Sequence, residues 1–150
     1  MIWKPHATVA TIVEKDNKFL MVEELSEGQH VINQPAGHLD EGESLIDAAI
    51  RETLEETAWH VSVDYITGIY RWQHPDKDAT FLRVCFAATA ISHDPDRELD
   101  EGILDAIWMS REDLFEKQSQ LRSPMVLQGI DDYLAGNQYP LDLLVDIDET

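Results

Sequence analysis

The chain has 150 residues, enough for one domain with a sizeable core and too few for two ordinary domains, so a single domain over 1–150 is expected. With 43% apolar and 27% charged residues, it has the makeup of a folded protein rather than a disordered one. Its formal net charge of −19 excludes roles that need a basic surface, so neither a nucleic acid polymer nor an anionic membrane is an expected partner. An anionic phosphate substrate would need a cationic bridge, and a divalent metal is the obvious one. The single cysteine, Cys85, rules out an internal disulfide and reads as a small buried hydrophobe. Residues 1–6 have no apolar signal core, and no apolar run approaches bilayer length, so the chain is expected in the cytoplasm.

In chain order, residues 8–13 form a β-rich run and residues 19–22 a second apolar run. Lys15-Asp16-Asn17-Lys18 between them reads as a hairpin turn. Residues 28–37 read as a polar loop interrupted by Val31 and Ile32. Ser44 opens a helix, with Asp47 three residues later completing an S-x-x-D capping pattern. Residues 61–72 and 80–90 are strand candidates joined by a turn at His74-Pro75-Asp76. Residues 92–100 form an acidic loop, and residues 103–109 a short strand. Ser110 with Asp113 repeats the capping pattern for a helix reaching about Lys117. Ser123-Pro124 starts a third helix, which Gly136 stops. The acidic tail from Asn137 either docks through Tyr139, Pro140 and Leu141 or frays. Strands mixed with three helices give an α/β layered domain.

The stretch that carries chemistry is residues 37–59, GHLDEGESLIDAAIRETLEETAW. At about 100° per residue, Ile46, Ala49, Ile50, Thr53, Leu54 and Thr57 share one side of a helix. Glu52, Glu55 and Glu56 share the opposite side, where their carboxylates repel unless a cation sits among them. Arg51, four residues before Glu55, gives local relief. Magnesium suits such a cluster, being a hard ion that takes a few carboxylates plus water and phosphate oxygens. A solvated acidic helix face is the alternative. Gly37 and Gly42 permit tight backbone paths that could turn a main-chain carbonyl inward as a further ligand.

Gly37, Glu43, Arg51-Glu52 and Glu55-Glu56 at these spacings resemble the Nudix box, a long pattern with many fixed positions. Two positions depart from it: Thr53 stands at an apolar position, and Ala58 stands where the family has glycine. A left-handed alanine there costs roughly 1 kcal/mol relative to glycine. Residues 4–10, 33–39, 121–124 and 139–141 extend the resemblance to a bacterial phosphatase of that family, over nearly the whole chain.

The resemblance implies a Nudix α/β/α sandwich with a mixed sheet and the box as loop–helix–loop. It implies hydrolysis of small diphosphate compounds, nucleoside di- or triphosphates or thiamin-related pyrimidine pyrophosphates. It implies Mg²⁺, with Mn²⁺ as substitute, held by Glu52, Glu55, Glu56 and the Gly37 carbonyl. Arg51 paired with Glu43 would brace the loop against the helix. Glu56 and Glu101 are the alternative candidates for the catalytic carboxylate that handles the attacking water. Arg71, Arg83 and Arg122 are candidate phosphate clamps. For Arg83, in an apolar strand, a structural ion pair is the competing reading. A Nudix-fold nucleotide-binding module without turnover is the alternative function, and monomer and homodimer are both open.

Overall fold

Asp16 and Asn17 both take positive φ, 51° and 63°, in the two-residue turn that folds the first strand back onto the second. The computed structural model describes residues 2–147 and gives the elements that follow. The strands are β1 (His6–Lys15), β2 (Lys18–Ser26), β3 (Gln29–Asn33), β4 (Ala36–His38), β5 (Trp59–Gln73), β6 (Thr80–His93) and β7 (Ile103–Met109). The helices are α1 (Leu45–Thr57), α2 (Arg111–Glu116) and α3 (Met125–Leu134), with 3₁₀ turns at Gln118–Gln120 and Leu141–Leu143.

The sheet is mixed, in the order β3-β2-β1-β6-β5, with β4 on β1 and β7 on β2. β1 runs parallel to β6 and antiparallel to β4, and joins β2 through Glu14 and Lys15. Alternate residues of β1 serve opposite faces. Val9 joins Val84 and Phe86 against Ala48 and Ala49 of α1. Ala10 and Ile12 join Cys85 against Val126 and Ile130 of α3. Covered on both sides, residues 8–13 of β1 are buried throughout, threonines included, which fits the β-rich run read from the sequence.

Local signals act where they stand. Ser44 caps α1 by accepting from the Asp47 amide at 3.0 Å. Ser110 and Asp113 form a complete capping box on α2. The Met125 amide donates to Ser123 Oγ at 3.2 Å, and Gly136, at φ 84°, ends α3. The tail docks: Tyr139 and Ile66 exchange two backbone hydrogen bonds of 2.9 Å, and Leu141 joins the core beside Ile66. Met1 of the N-terminal reading and residues 148–150 of the tail lie outside the described residues.

One reading needs correction. Residues 28–37 are not a loop, because they supply β3 and β4. β3 pairs locally with β2 across the Glu27-Gly28 turn, whereas β4, only three residues long, exists by bonding to Thr8, Val9 and Ala10 of β1. Among the described residues no helix is long and apolar enough to cross a membrane.

Candidate active site

α1 presents the box residues, and its buried polar positions are each satisfied. Thr53, at the position where an apolar residue is expected, is fully buried. Its hydroxyl donates to the Ala49 carbonyl at 2.7 Å and pairs with Thr11 of β1 at 2.8 Å, so the departure leaves no orphaned group. Ala58 takes the left-handed conformation, φ 63°, and its amide bonds the Leu54 carbonyl to close the helix. Gly37 has a steric reason: a Cβ there would overlap the Glu52 carboxylate. The close approach of β4 backbone to that carboxylate therefore depends on glycine.

Glu52, Glu55 and Asp100 converge, with one oxygen from each within 4.8 Å of the others. Asp100 arrives from the loop between β6 and β7, where its amide is bonded to the Glu55 carbonyl at 3.0 Å. Arg51 lies across the cluster. Its Nε and Nη2 donate to both oxygens of Glu43 at 2.7 and 2.9 Å, and its Nη1 donates to Glu52 at 2.8 Å and Glu55 at 3.2 Å. Nη2 also reaches the His38 carbonyl at 3.1 Å, tying loop, strand and helix together. Glu43 holds its carboxyl below the ordinary range through this pair, whereas burial raises that of Glu52. Three hard oxygen donors with one raised carboxylate fit a divalent cation such as Mg²⁺.

Glu56 does not share a solvent-facing side with Glu52 and Glu55. It is buried, 8% exposed, because β4 covers that side of α1, and it accepts the Ala36 amide at 2.8 Å. Burial, with Glu52, Glu24 and Asp100 nearby, pushes its carboxyl up to about 9. In the absence of a cation this environment favours its protonated form.

Glu52 and Glu56 line one end of a cleft of about 300 Å³ whose other lining includes Thr8, Glu24, Phe81, Arg83 and Arg122. Arg122 donates to Glu24 at 2.6 Å, and His38 bonds His6 at 3.2 Å. Arg83 is buried at 6% exposure, which draws its guanidinium below its ordinary value. It donates to Gln34 Oε1 at 2.9 Å and has no carboxylate within ion-pair distance among the described residues. Arg71 stands apart: it is exposed on β5, outside the cleft lining. Glu101 is exposed in the turn before β7, also outside that lining.

Sequence reasoning passed over Asp100, Thr8 and Glu24 as functional residues. Asp100 carries a faint signal, since it lies in the acidic loop, but it stands more than forty residues beyond Glu56 in the chain. Thr8 and Glu24 carry none, because alternation alone does not tell which face a cleft occupies.

The fold and this constellation define a class. Residues 4–128 match the NUDIX domain, and the chain belongs to the Nudix family. It is a Nudix hydrolase with the α/β Nudix fold, a mixed sheet and three helices. Within that class it is similar to Phosphatase NudJ of Shigella boydii serotype 4 (strain Sb227), at 41% identity over 145 residues, 97% of this chain and 94% of that one. Phosphatase NudJ of Escherichia coli (strain K12) is 40% identical over the same shares. A NUDIX hydrolase from Nitrosomonas europaea, solved as a structure, superposes with a TM-score of 0.95 at 47% identity, covering 98% of this chain and 100% of that chain.

Proposed function

We propose that the chain, acting as one domain over 1–150, is a Mg²⁺-dependent phosphohydrolase of small diphosphate compounds. The observation that carries this reading is the convergence of Glu52, Glu55 and Asp100 beside a cleft whose far end holds Arg83 and Arg122. Glu52, Glu55 and Glu56, the Gly37 carbonyl and Asp100 would hold the cation. When bound, Mg²⁺ or Mn²⁺ supplies charge neutralisation at phosphoryl oxygens and acidifies water.

The chain's own residues do the rest. Arg51 and Glu43 keep the loop of residues 39–44 and α1 in one geometry, so the carboxylates stay together when no cation separates their charges. Glu56 accepts or holds a proton at its carboxylate; loss of its proton on cation binding would make it a base. Glu101 remains the alternative base. Arg83 and Arg122 orient substrate phosphates at the basic end, and Arg71 serves a substrate that extends beyond the cleft.

Likeness to proteins named phosphatase supports a small phosphorylated substrate. Among these we favour nucleoside di- and triphosphates and thiamin-related pyrimidine pyrophosphates. A chain with net charge −19 and one buried cysteine suits the cytoplasm, where such metabolites occur.

The test is phosphate and pyrophosphate release from a panel of these compounds, with and without Mg²⁺, using Glu56→Gln as control. Metal-dependent turnover lost in the control is expected. Tight ligand binding without turnover under Mg²⁺ and Mn²⁺ would replace the reading with a binding module.

A further inference from the structure

Two buried polar side-chain atoms have no hydrogen-bond partner among the described residues: Thr8 Oγ1 and Arg83 Nε. Both residues line the same cleft, and each is 6% exposed. They are register partners on the parallel strands β1 and β6, so their side chains stand on the same face of the sheet. Two unrelated packing faults would not be expected to fall side by side at the floor of one cleft.

The chemistry of the pair is specific. Arg83 Nε–H can only donate, and a threonine hydroxyl can donate as well. A buried guanidinium also asks for an anion, and among the described residues no carboxylate lies within ion-pair distance of it. Glu24, which lines the cleft, is taken by Arg122. Glu56 is engaged by the Ala36 amide at 2.8 Å. Gln34 supplies a neutral oxygen only. An anionic group with two acceptor oxygens would complete the pair, and a phosphoryl group has that form.

We infer that Thr8 and Arg83 form a phosphoryl receptor at the floor of the cleft, which binds one phosphate of the substrate without the help of a metal. The inference rests on the hydrolase reading for the identity of its ligand. It adds Thr8 as a binding residue and divides the labour of the cleft. One phosphate is addressed through the acidic end, and another directly by the β1–β6 pair. Both atoms are sealed from solvent in the ligand-free chain, so side chains lining the cleft must shift for a phosphoryl oxygen to reach them.

Titration of the metal-free protein in EDTA with inorganic pyrophosphate, followed by calorimetry, tests this. Wild type should bind. Thr8→Val should weaken binding about 5-fold, and Thr8→Ser should restore it. Arg83→Lys, which loses the fork, should weaken binding about 10-fold or more. Thr8→Val should also raise the melting temperature of the ligand-free protein, because it removes a buried hydroxyl that has no partner. With Mg²⁺, Thr8→Val should raise KM and leave kcat within about two-fold, the mark of uniform binding. Should Arg83→Lys fail to fold, the two Thr8 variants still decide. No pyrophosphate binding without metal, or equal affinity in wild type and Thr8→Val, overturns the receptor while Mg²⁺-dependent turnover leaves the hydrolase reading standing. Metal-free binding that depends on Thr8, in a protein with no turnover on any diphosphate, upholds the receptor and removes the hydrolase reading.

Discussion

The two ends of the cleft are built in opposite ways. The acidic end comes largely from one stretch: Gly37, Glu43, Arg51, Glu52, Glu55 and Glu56 lie within twenty residues, and only Asp100 arrives from elsewhere. The basic end is gathered from four segments, with Thr8 from β1, Glu24 from β2, Arg83 from β6 and Arg122 from the loop before α3. Helical periodicity can bring Arg51, Glu52 and Glu55 of the first together before tertiary structure exists, while Gly37 joins them only through β4. The second exists only once β1 lies beside β6. Charge follows the same division: the acidic end carries a like-charge strain that Arg51 relieves in part, whereas the basic end carries a buried cation without an acid.

The largest effect should come from the acidic end. Glu52→Gln and Glu55→Gln should each lower Mg²⁺-dependent turnover by about 10²-fold or more, with the fold retained. Loss of the metal-induced rise in melting temperature should accompany it. Activity that survives both changes would mean that the cluster is only a braced acidic face.

Asp100 and Glu101 sharpen the boundary of that end. Asp100→Asn should weaken the apparent metal affinity about 10–100-fold, because its carboxylate faces Glu52 and Glu55. Glu101→Gln should change turnover less than about three-fold if Glu56 is the base. A reversed order, read from Mg²⁺ titrations of initial rate, would make Glu101 the better candidate for handling the attacking water.

At the basic end, Arg122→Ala should raise KM about 10-fold, since it removes a cleft-lining fork and leaves Glu24 unpaired. Arg71→Ala should leave KM for a small diphosphate within about two-fold, given its exposed place on β5. Equal effects would extend the basic end around the sheet edge.

The strain at Glu56 has a pH signature. Its folded value of about 9 stands above the ordinary 4.5, so the metal-free fold keeps a proton that the unfolded chain has lost. The stability contribution is full below about 4.5 and declines as pH rises toward 9, by at most about 1.4 kcal/mol per pH unit. Denaturant unfolding of the metal-free protein at pH 6, 7 and 8 should show that decline, and Glu56→Gln should flatten it. An undiminished slope in the variant would locate the proton elsewhere. The smallest effect belongs to the end of α1. Ala58→Gly should stabilise by about 1 kcal/mol, because glycine tolerates φ 63° without a Cβ clash. A lower melting temperature would show that the packing of the buried Ala58 methyl outweighs its strain.

Much of this was legible in the sequence for a definite reason. Caps, turns and helix faces are decided within a few residues, so Ser44, Asp16-Asn17, Ser110 with Asp113, and Gly136 could each be read where they stand. The box spacing likewise put Glu52 and Glu55 a few residues apart on one helix. Glu56 was harder. Its place on the helix was right, but whether that side met water or backbone depended on β4, and β4 exists only through its bonds to β1. The same holds for β4 within residues 28–37, whereas β3 was a local hairpin partner of β2 that the polar composition of the stretch concealed.

What the residues determined by themselves was therefore the helix, its caps and the acidic cluster it carries, together with the family those spacings mark. The tertiary structure decided which carboxylate was buried. It brought Asp100 to Glu55 across more than forty residues, and it left Arg83 Nε and Thr8 Oγ1 side by side without a partner among the described residues. The physical reason is range. Hydrogen bonds and repulsions along a helix act within one turn, whereas burial, and the loss of water that shifts a carboxyl or isolates a guanidinium, is set by whatever chain segment happens to pack on top.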